Sequence, residues 1–405
     1  MKTLLHRHLW QRLPPDLRRR ALFAATSIAA YRPPLGVPAR EPLIVGGVLR
    51  SATGLGESAR LCHDALKSAG FDVYGVDLTD ALMQPDDLDF DFADARAHRG
   101  AGTLILHVNA PLVPLAMLRL GRDFLRDKRI VAYWAWELPR APDDWKFGAP
   151  FVHEIWAPSR FTAEAIHPIS AGRPVRVVAH PVAARLGQTR IENTKASDAD
   201  RPFTVLTMFD MGSSFARKNP LAAVAAFRKA FGDDRNARLL VKVLNGGSFA
   251  AGRAELETSI AGAANIELIE QRLTLDELAA LYDRSDALLS LHRAEGFGLP
   301  LAEAMLRGVA VVATDWSGNV DFLSKETGFP VPYRLVPAAD PQRTYDDASA
   351  SWADADVGAA ARLLVEARDD AQARRRRVDC AGRSAQMQWS AERYAKTVKE
   401  MLKLP

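Results

Sequence analysis

The 405-residue sequence has little cysteine. Cys62 and Cys380 are its only two, too few for a disulfide framework or a cysteine-based zinc site, and this fits a reducing cytoplasm. It also lacks a long apolar run. The longest near the start, Ala21 to Ala30, is interrupted by Thr26 and Ser27 and falls short of the roughly twenty residues that span a bilayer as a helix. Charge of either sign is scarcely in excess. A formal +4 gives no ground for a nucleic-acid partner, and none is expected. The excess is local: residues 1–40 hold Lys2, Arg7, Arg12, Arg18, Arg19, Arg20, Arg32 and Arg40 against Asp16 alone.

What is present is a chain that is 48% hydrophobic, long enough for two domains with separate cores. Residues 1–40 read as a basic extension in which Pro14-Pro15-Asp16 starts a helix. Two readings of that helix stay open: a peripheral contact of residues 1–31 with anionic lipid, or a helix packed on the domain surface with solvated arginines.

Residues 41–184 alternate strand and helix, as in a doubly wound domain. Pro42 to Leu49 is a buried strand, Gly54-Leu55-Gly56 a glycine loop before a helix, and Phe71 to Leu78 a second strand carrying Asp77. Thr103 to Val108 delivers His107 and Asn109 to the strand end where ligands gather in open α/β sheets. Arg129 to Trp136 runs into Glu137; Trp134 and Trp136, on alternate positions, can both be core and at least one is expected there, while a tryptophan at a strand end is also a surface on which a sugar ring stacks. Glu154 to Ala157 and Val175 to Val182 complete the set. The acidic Gln84 to Arg99 reads as an irregular solvated run, and its Asp89-Phe90-Asp91 triplet lacks the flanking apolar strand that a metal site would need. No metal ligands are expected.

Residues 185–202, polar and without periodicity, read as a linker, and residues 203–387 as a second strand-and-helix domain. Its first strand, Phe203 to Phe209, leads to Arg217 and Lys218 just ahead of Asn219-Pro220, where two cations join the positive end of a helix dipole. The decisive stretch is LLSLHRAEGFGLPLAEAMLRG, Leu288 to Gly308. It reads as a strand to Leu291, a loop Glu295-Gly296-Phe297-Gly298, and a helix from Pro300 to Arg307. Free backbone N–H groups at that helix start suit phosphate oxygens. Glu295 and Glu303 bracket the loop, placed to accept hydrogen bonds from hydroxyls on both sides of a diphosphate, as in a nucleotide sugar. After Pro330 the chain to Asp356 reads as an irregular surface insertion, and residues 388–405 as a final helix.

With its two glutamates separated by seven residues, this stretch resembles the signature of the family 4 retaining glycosyltransferases. YWAWELPRAP and IWAPSRFTAEAI are similar to wording in bacterial members that build surface polysaccharides, and the likeness extends over residues 41–405. The resemblance implies a GT-B fold: α/β, two Rossmann-like doubly wound domains facing a cleft, with the last helix crossing back to the first domain. It implies metal-independent transfer of a hexose from a nucleoside diphosphate sugar to a glycan or lipid-linked glycan acceptor, in the cytoplasm or at the inner face of the membrane, with no cofactor beyond that co-substrate. Carried over, Glu295 contacts the donor sugar, Gly296, Phe297, Gly298 and Leu299 lie near the diphosphate, and Glu303 holds the ribose. Lys218 and Arg217 neutralise the diphosphate, though Ser213 stands where the family commonly has its arginine. Gly54, Leu55 and Gly56 face the donor phosphate or the acceptor across the cleft. His107, Asn109, Trp136 and Glu137 are the acceptor-side candidates.

Two other functions fit parts of the sequence. Gly54-Leu55-Gly56 with Asp77 imitates the fingerprint of an NAD-dependent oxidoreductase, although Arg50 to Thr53 separate the glycines from their strand. A non-catalytic GT-B protein that binds sugar would carry the same binding residues.

Overall fold

The computed structural model describes residues 15–184, 201–345 and 349–404. Residues 1–14 of the basic extension, 185–200 of the expected linker, and the side chains of Arg18, Arg19 and Arg20 lie outside the described residues.

Runs such as Leu43-Ile44-Val45 are apolar at every position, the pattern of strands covered on both faces, and they assemble into two all-parallel sheets. The first contains β1 (Leu43–Gly47), β2 (Val73–Asp77), β3 (Gly102–His107), β4 (Lys128–Tyr133), β5 (Glu154–Ala157) and β6 (Val175–Val177), in the order β2-β1-β3-β4-β5-β6. The second contains β7 (Phe203–Asp210), β8 (Ala237–Leu244), β9 (Ile266–Ile269), β10 (Ala287–Ser290), β11 (Ala310–Thr314) and β12 (Phe329–Val331), in the order β12-β11-β10-β7-β8-β9. Each sheet is wound in both directions from its first strand. Chain leaving β1 and β3 therefore borders a crevice in the first sheet, and chain leaving β7 and β10 borders one in the second. All the strongest candidate residues follow one of these four strands.

Helices cover both faces. On the first sheet, Ile44, Leu104, Ile130 and Trp134 belong to one buried cluster and Leu43, Val45, Ile105 and Trp156 to another. The final helix, Ala391–Leu402, places Tyr394, Val398 and Leu402 in the second of these clusters, so the chain ends against the sheet with which it began. The helix Pro15–Ala29 packs on the helix Val113–Leu120. Phe23 is buried there with its ring 6.1 Å from that of Phe147, while Ile28 points outward. Among the described residues no helix is long and apolar enough to cross a membrane.

Two expectations about elements need correction. The strand expected over Val175 to Val182 stops at Val177; beyond it Pro181 offers no N–H to a ladder, and the turn carries His180 inward. The segment after Pro330 is not an irregular insertion. It forms an antiparallel hairpin of β13 (Tyr333–Pro337) and β14 (Ser351–Ala355), anchored by Tyr345, Ala350 and Trp352, which pack with Leu138 of the first half and Ala294. Its acidic, alanine-rich wording hid the apolar face, because only these few side chains supply it.

Candidate active site

Between the two sheets lies a cleft of about 710 Å³, lined by chain following all four crevice strands. On the second half, β7 ends in a loop that rises through the one-turn helix Phe215–Lys218 directly into the helix Pro220–Phe231. Ser214 caps the short helix from its side chain, with φ of +64°. Arg217 and Lys218 thus arrive at the end of one helix and immediately before the start of another. From β10 the chain passes through Glu295 to the helix Leu299–Leu306, whose N-cap is Gly298 at φ +95°, a conformation open to glycine at little cost.

These two loops meet at Glu295. Its Oε1 accepts from the Lys218 ammonium and its Oε2 is 3.2 Å from Arg217 Nη1. Burial alone would push this carboxyl up, but the Lys218 and Arg217 charges outweigh it and hold Glu295 at about 2. Its backbone is fixed as well: Glu295 N–H donates to Ser317 Oγ at 2.8 Å, and its carbonyl accepts from Gly318 N at 2.8 Å. A Cβ at Gly318 would lie 2.1 Å from the Gly296 carbonyl oxygen, so this position has room only for hydrogen. Arg217 is buried, donating from Nη1 to Ala294 O at 2.7 Å and from Nη2 to Ser213 O and Oγ at 3.0 and 2.9 Å. Ser213 therefore orients the arginine from both its carbonyl and its hydroxyl.

Glu303 lies farther along the same wall. Tyr282 OH, from the helix Leu275–Asp283, donates to Glu303 Oε2 at 2.6 Å, fixing the carboxylate at the cleft edge. Leu299 and Pro300 line the cleft beside it. Phe297 borders the cleft but anchors its loop rather than presenting a ring to a ligand: it packs on His180, Phe322 and Trp389, with centroids 4.9, 5.2 and 5.7 Å away.

The first half supplies the facing wall, with changes to three expectations. Gly54, Leu55 and Gly56 are not a loop but the opening turn of the helix Gly54–Ser68, because Thr53 caps it by accepting from Gly56 N. Gly54 and Leu55 line the cleft; Gly56 is glycine because a Cβ there would be 2.3 Å from Ser51 O. Trp136 does not line the cleft. Its ring packs against Trp145 and Tyr345, at 5.1 and 5.4 Å, and its Nε1 donates to Arg140 O, so it is engaged in packing beside the cleft. Asn109 borders the cleft with its Oδ1 committed to Ala135 N at 2.9 Å. Asp77, which a dinucleotide would need for its ribose, accepts instead from Leu49 N and Thr79 Oγ1, at 2.9 and 2.7 Å.

His107 and Glu137 do reach the cleft. His107 is buried, stacked on Tyr133 at 4.7 Å, with Nδ1 2.7 Å from Ser58 Oγ. Burial, aided by nearby His180, drives its pKa well down, leaving a neutral ring whose buried Nε2 has no partner among the described residues. Glu137 Oε2 accepts from Tyr345 OH at 2.9 Å, and the Tyr345 ring lies 5.4 Å from the Arg217 guanidinium. Tyr345, Tyr282 and His180 were missed in the sequence. A tyrosine inside the apolar stripe LAALY is a signal that could have indicated Tyr282; nothing near Tyr345 distinguishes it.

The halves also touch directly. Gly296 O accepts from Ser159 Oγ and Thr162 Oγ1, at 2.5 and 3.1 Å, and Arg160 Nε pairs with Asp321 at 2.8 Å. Among the described residues no group of three or more His, Cys, Asp or Glu side chains is placed to hold a metal ion.

The family model described as "Family 4 Glycosyltransferase in conflict systems" matches residues 160–392. No curated protein matches the sequence. Among solved structures, sucrose-phosphate synthase from Thermosynechococcus elongatus is similar with a TM-score of 0.63 at 15% identity, over 90% of this chain and 98% of that one. Anabaena Alr3699/HepE, solved in complex with UDP and glucose, gives 0.58 at 13% identity, over 89% and 99%. TarM of S. aureus, solved with Fondaparinux, alpha-GlcNAc-glycerol and UDP, gives 0.53 at 10% identity, over 74% and 55%. The chain spans just over half the length of TarM and of pneumococcal GtfA. At these identities the likeness is one of fold, and that fold is GT-B.

Proposed function

The chain belongs to the family 4 glycosyltransferases, and from that premise we propose that it transfers a hexose, with retention, from a nucleoside diphosphate sugar to a hydroxyl of a glycan or lipid-linked glycan in surface polysaccharide synthesis. The observation that carries this reading is the meeting of Lys218, Arg217 and Glu295 at the mouth of the Gly296–Gly298 loop, with Glu303 farther along the same wall. Two cations and a helix start receive the diphosphate, Glu295 lies beside the sugar, and Glu303 holds the ribose.

The bond from the sugar's anomeric carbon to the phosphate oxygen breaks while a bond to the acceptor oxygen forms on the same face. The acceptor's proton passes to the departing phosphate oxygen. Charge grows on the diphosphate as it leaves, and Lys218 and Arg217 stabilise it more in the transition state than in the ground state. In this scheme no metal is required. His107 Nε2 and Glu137, across the cleft, are assigned to acceptor or sugar hydroxyls. A panel of nucleotide sugars is screened first by thermal shift, and the one that stabilises the protein is then turned over. Proton NMR of the first product should show the donor's anomeric configuration kept. An inverted product, or no nucleotide sugar that stabilises the protein, contradicts the proposal.

The same reading places the enzyme at the inner face of the membrane, its basic extension against anionic headgroups. With Phe23 packed on the first half, the arginines are the part left to test. Replacing Arg18, Arg19 and Arg20 together by glutamate should release the protein from anionic vesicles in a sedimentation assay at unchanged melting temperature. Equal sedimentation of both forms counts against membrane contact.

A further inference from the structure

Lys242 is a buried lysine in the cleft wall for which the transfer chemistry has no use. Its ammonium carries three donors, yet among the described residues its one hydrogen-bond partner is the Val243 carbonyl, at 2.9 Å, and no carboxylate is paired with it. The nearest acid in sequence on the neighbouring loop, Glu270, is engaged with Arg253 at 2.8 Å. Burial first, and then the Arg272 charge, draw the ammonium below its ordinary pKa, and the Glu270 charge offsets only part of this, a cost that an acceptor on a ligand would relieve.

The sheet order says which part of a donor would meet it. Across the second sheet run β10, β7, β8 and β9. Lys218 and Glu295 emerge from the loops after β7 and β10, while Lys242 pairs in register with Met208 on one side and Ile269 on the other. In-register partners face the same way, so Lys242 shares the face of Met208, whose sulfur is 3.3 Å from Tyr282 OH, the hydroxyl that holds Glu303. A nucleoside diphosphate with its phosphates at Lys218 and its ribose at Glu303 extends its base outward over β7 and β8. There the cleft wall is Met208, Leu244, Leu273, Leu275 and Leu278, an apolar slot that also holds two cations, Lys242 and Arg272, of which Arg272 is already paired with Asp87 at 3.1 Å. The distance from β10, two strands or roughly 10 Å, separates this lysine from the diphosphate.

We propose that the Lys242 ammonium donates a hydrogen bond to the exocyclic carbonyl on the edge of the base farthest from the ribose, so that the enzyme takes uridine or guanosine donors and rejects cytidine and adenosine donors. This rests on the donor reading given above. Uracil O4 and guanine O6 are acceptors; cytosine and adenine carry an amino group at the corresponding edge, and a donor facing a buried ammonium leaves both unsatisfied. The apolar slot accommodates any flat base, and the lysine distinguishes among them.

Calorimetry on the full chain with UDP, CDP, GDP and ADP tests this. UDP should bind more tightly than CDP, and GDP more tightly than ADP, by roughly ten- to a hundredfold, the effect of one charge-assisted hydrogen bond. Lys242→Met keeps the apolar stem without the charge and should bring each pair close to parity at a similar melting temperature. If wild-type protein binds CDP as well as UDP, or if folded Lys242→Met keeps the preference, the inference is overturned. The wild-type comparison decides alone should the variant not fold. If none of the four diphosphates binds, the donor reading itself fails, and this inference with it.

Discussion

Lys218→Ala is expected to lower turnover at saturating donor by about a hundredfold or more, the usual cost of removing a preorganised group aimed at developing charge. The ammonium is held against Glu295 with its side chain only 15% exposed, in surroundings where a fixed charge acts strongly because little water screens it. In the transition state that charge faces the departing diphosphate. The fold should lose much less. After the substitution Glu295 still has Arg217 3.2 Å away, so no buried carboxylate is left without a counter-charge, the situation that makes breaking a buried pair costly. Steady-state rates and thermal melts of the two proteins make the comparison. Unchanged turnover, or a collapse of the melting temperature that accounts for the lost activity, would remove Lys218 from the role assigned to it.

Glu295→Gln should depress turnover by a similar order, for a different reason. The sugar ring gains positive character as the phosphate leaves, so a carboxylate beside it interacts more strongly in the transition state than before, whereas an amide does not. The structure adds a consequence that the sequence could not give. Without donor, Glu295 occupies both cations that are to receive the diphosphate. Neutralising it frees them, so affinity for the free diphosphate should be kept or increased while the rate falls. Glu303→Gln should do the opposite. A ribose hydroxyl is the same before and during reaction, so loss of its charged hydrogen bond, roughly 1.5–3 kcal/mol, weakens donor and free diphosphate together.

The parts of this site that were legible in the sequence are those that depend on local rules. Apolar runs of strand length gave the two sheets. Glu295, Gly298, Pro300 and Glu303 lie within one strand-loop-helix unit, so spacing alone orders them. Lys218 precedes a helix-starting proline and is found by the same means. What stayed hidden depends on distant chain. Glu137 and Tyr345 are joined by a hydrogen bond spanning 208 positions, and nothing in the polar wording around Tyr345 states that a hairpin will return it to Glu137. Trp136 falls outside the cleft lining and packs against Trp145 and Tyr345 instead, a fact of packing and not of strand alternation. Gly54 to Gly56 were misread because a glycine fingerprint and a threonine-capped helix start look alike until Thr53 is seen accepting from Gly56 N.

The most direct test of the central claim, that Glu295 and Glu303 divide one nucleotide-sugar donor between them, is a calorimetric titration of the free nucleoside diphosphate into wild type, Glu295→Gln and Glu303→Gln. The account predicts affinity kept or increased for Glu295→Gln and reduced about ten- to a hundredfold for Glu303→Gln. Equal weakening in both variants would contradict it.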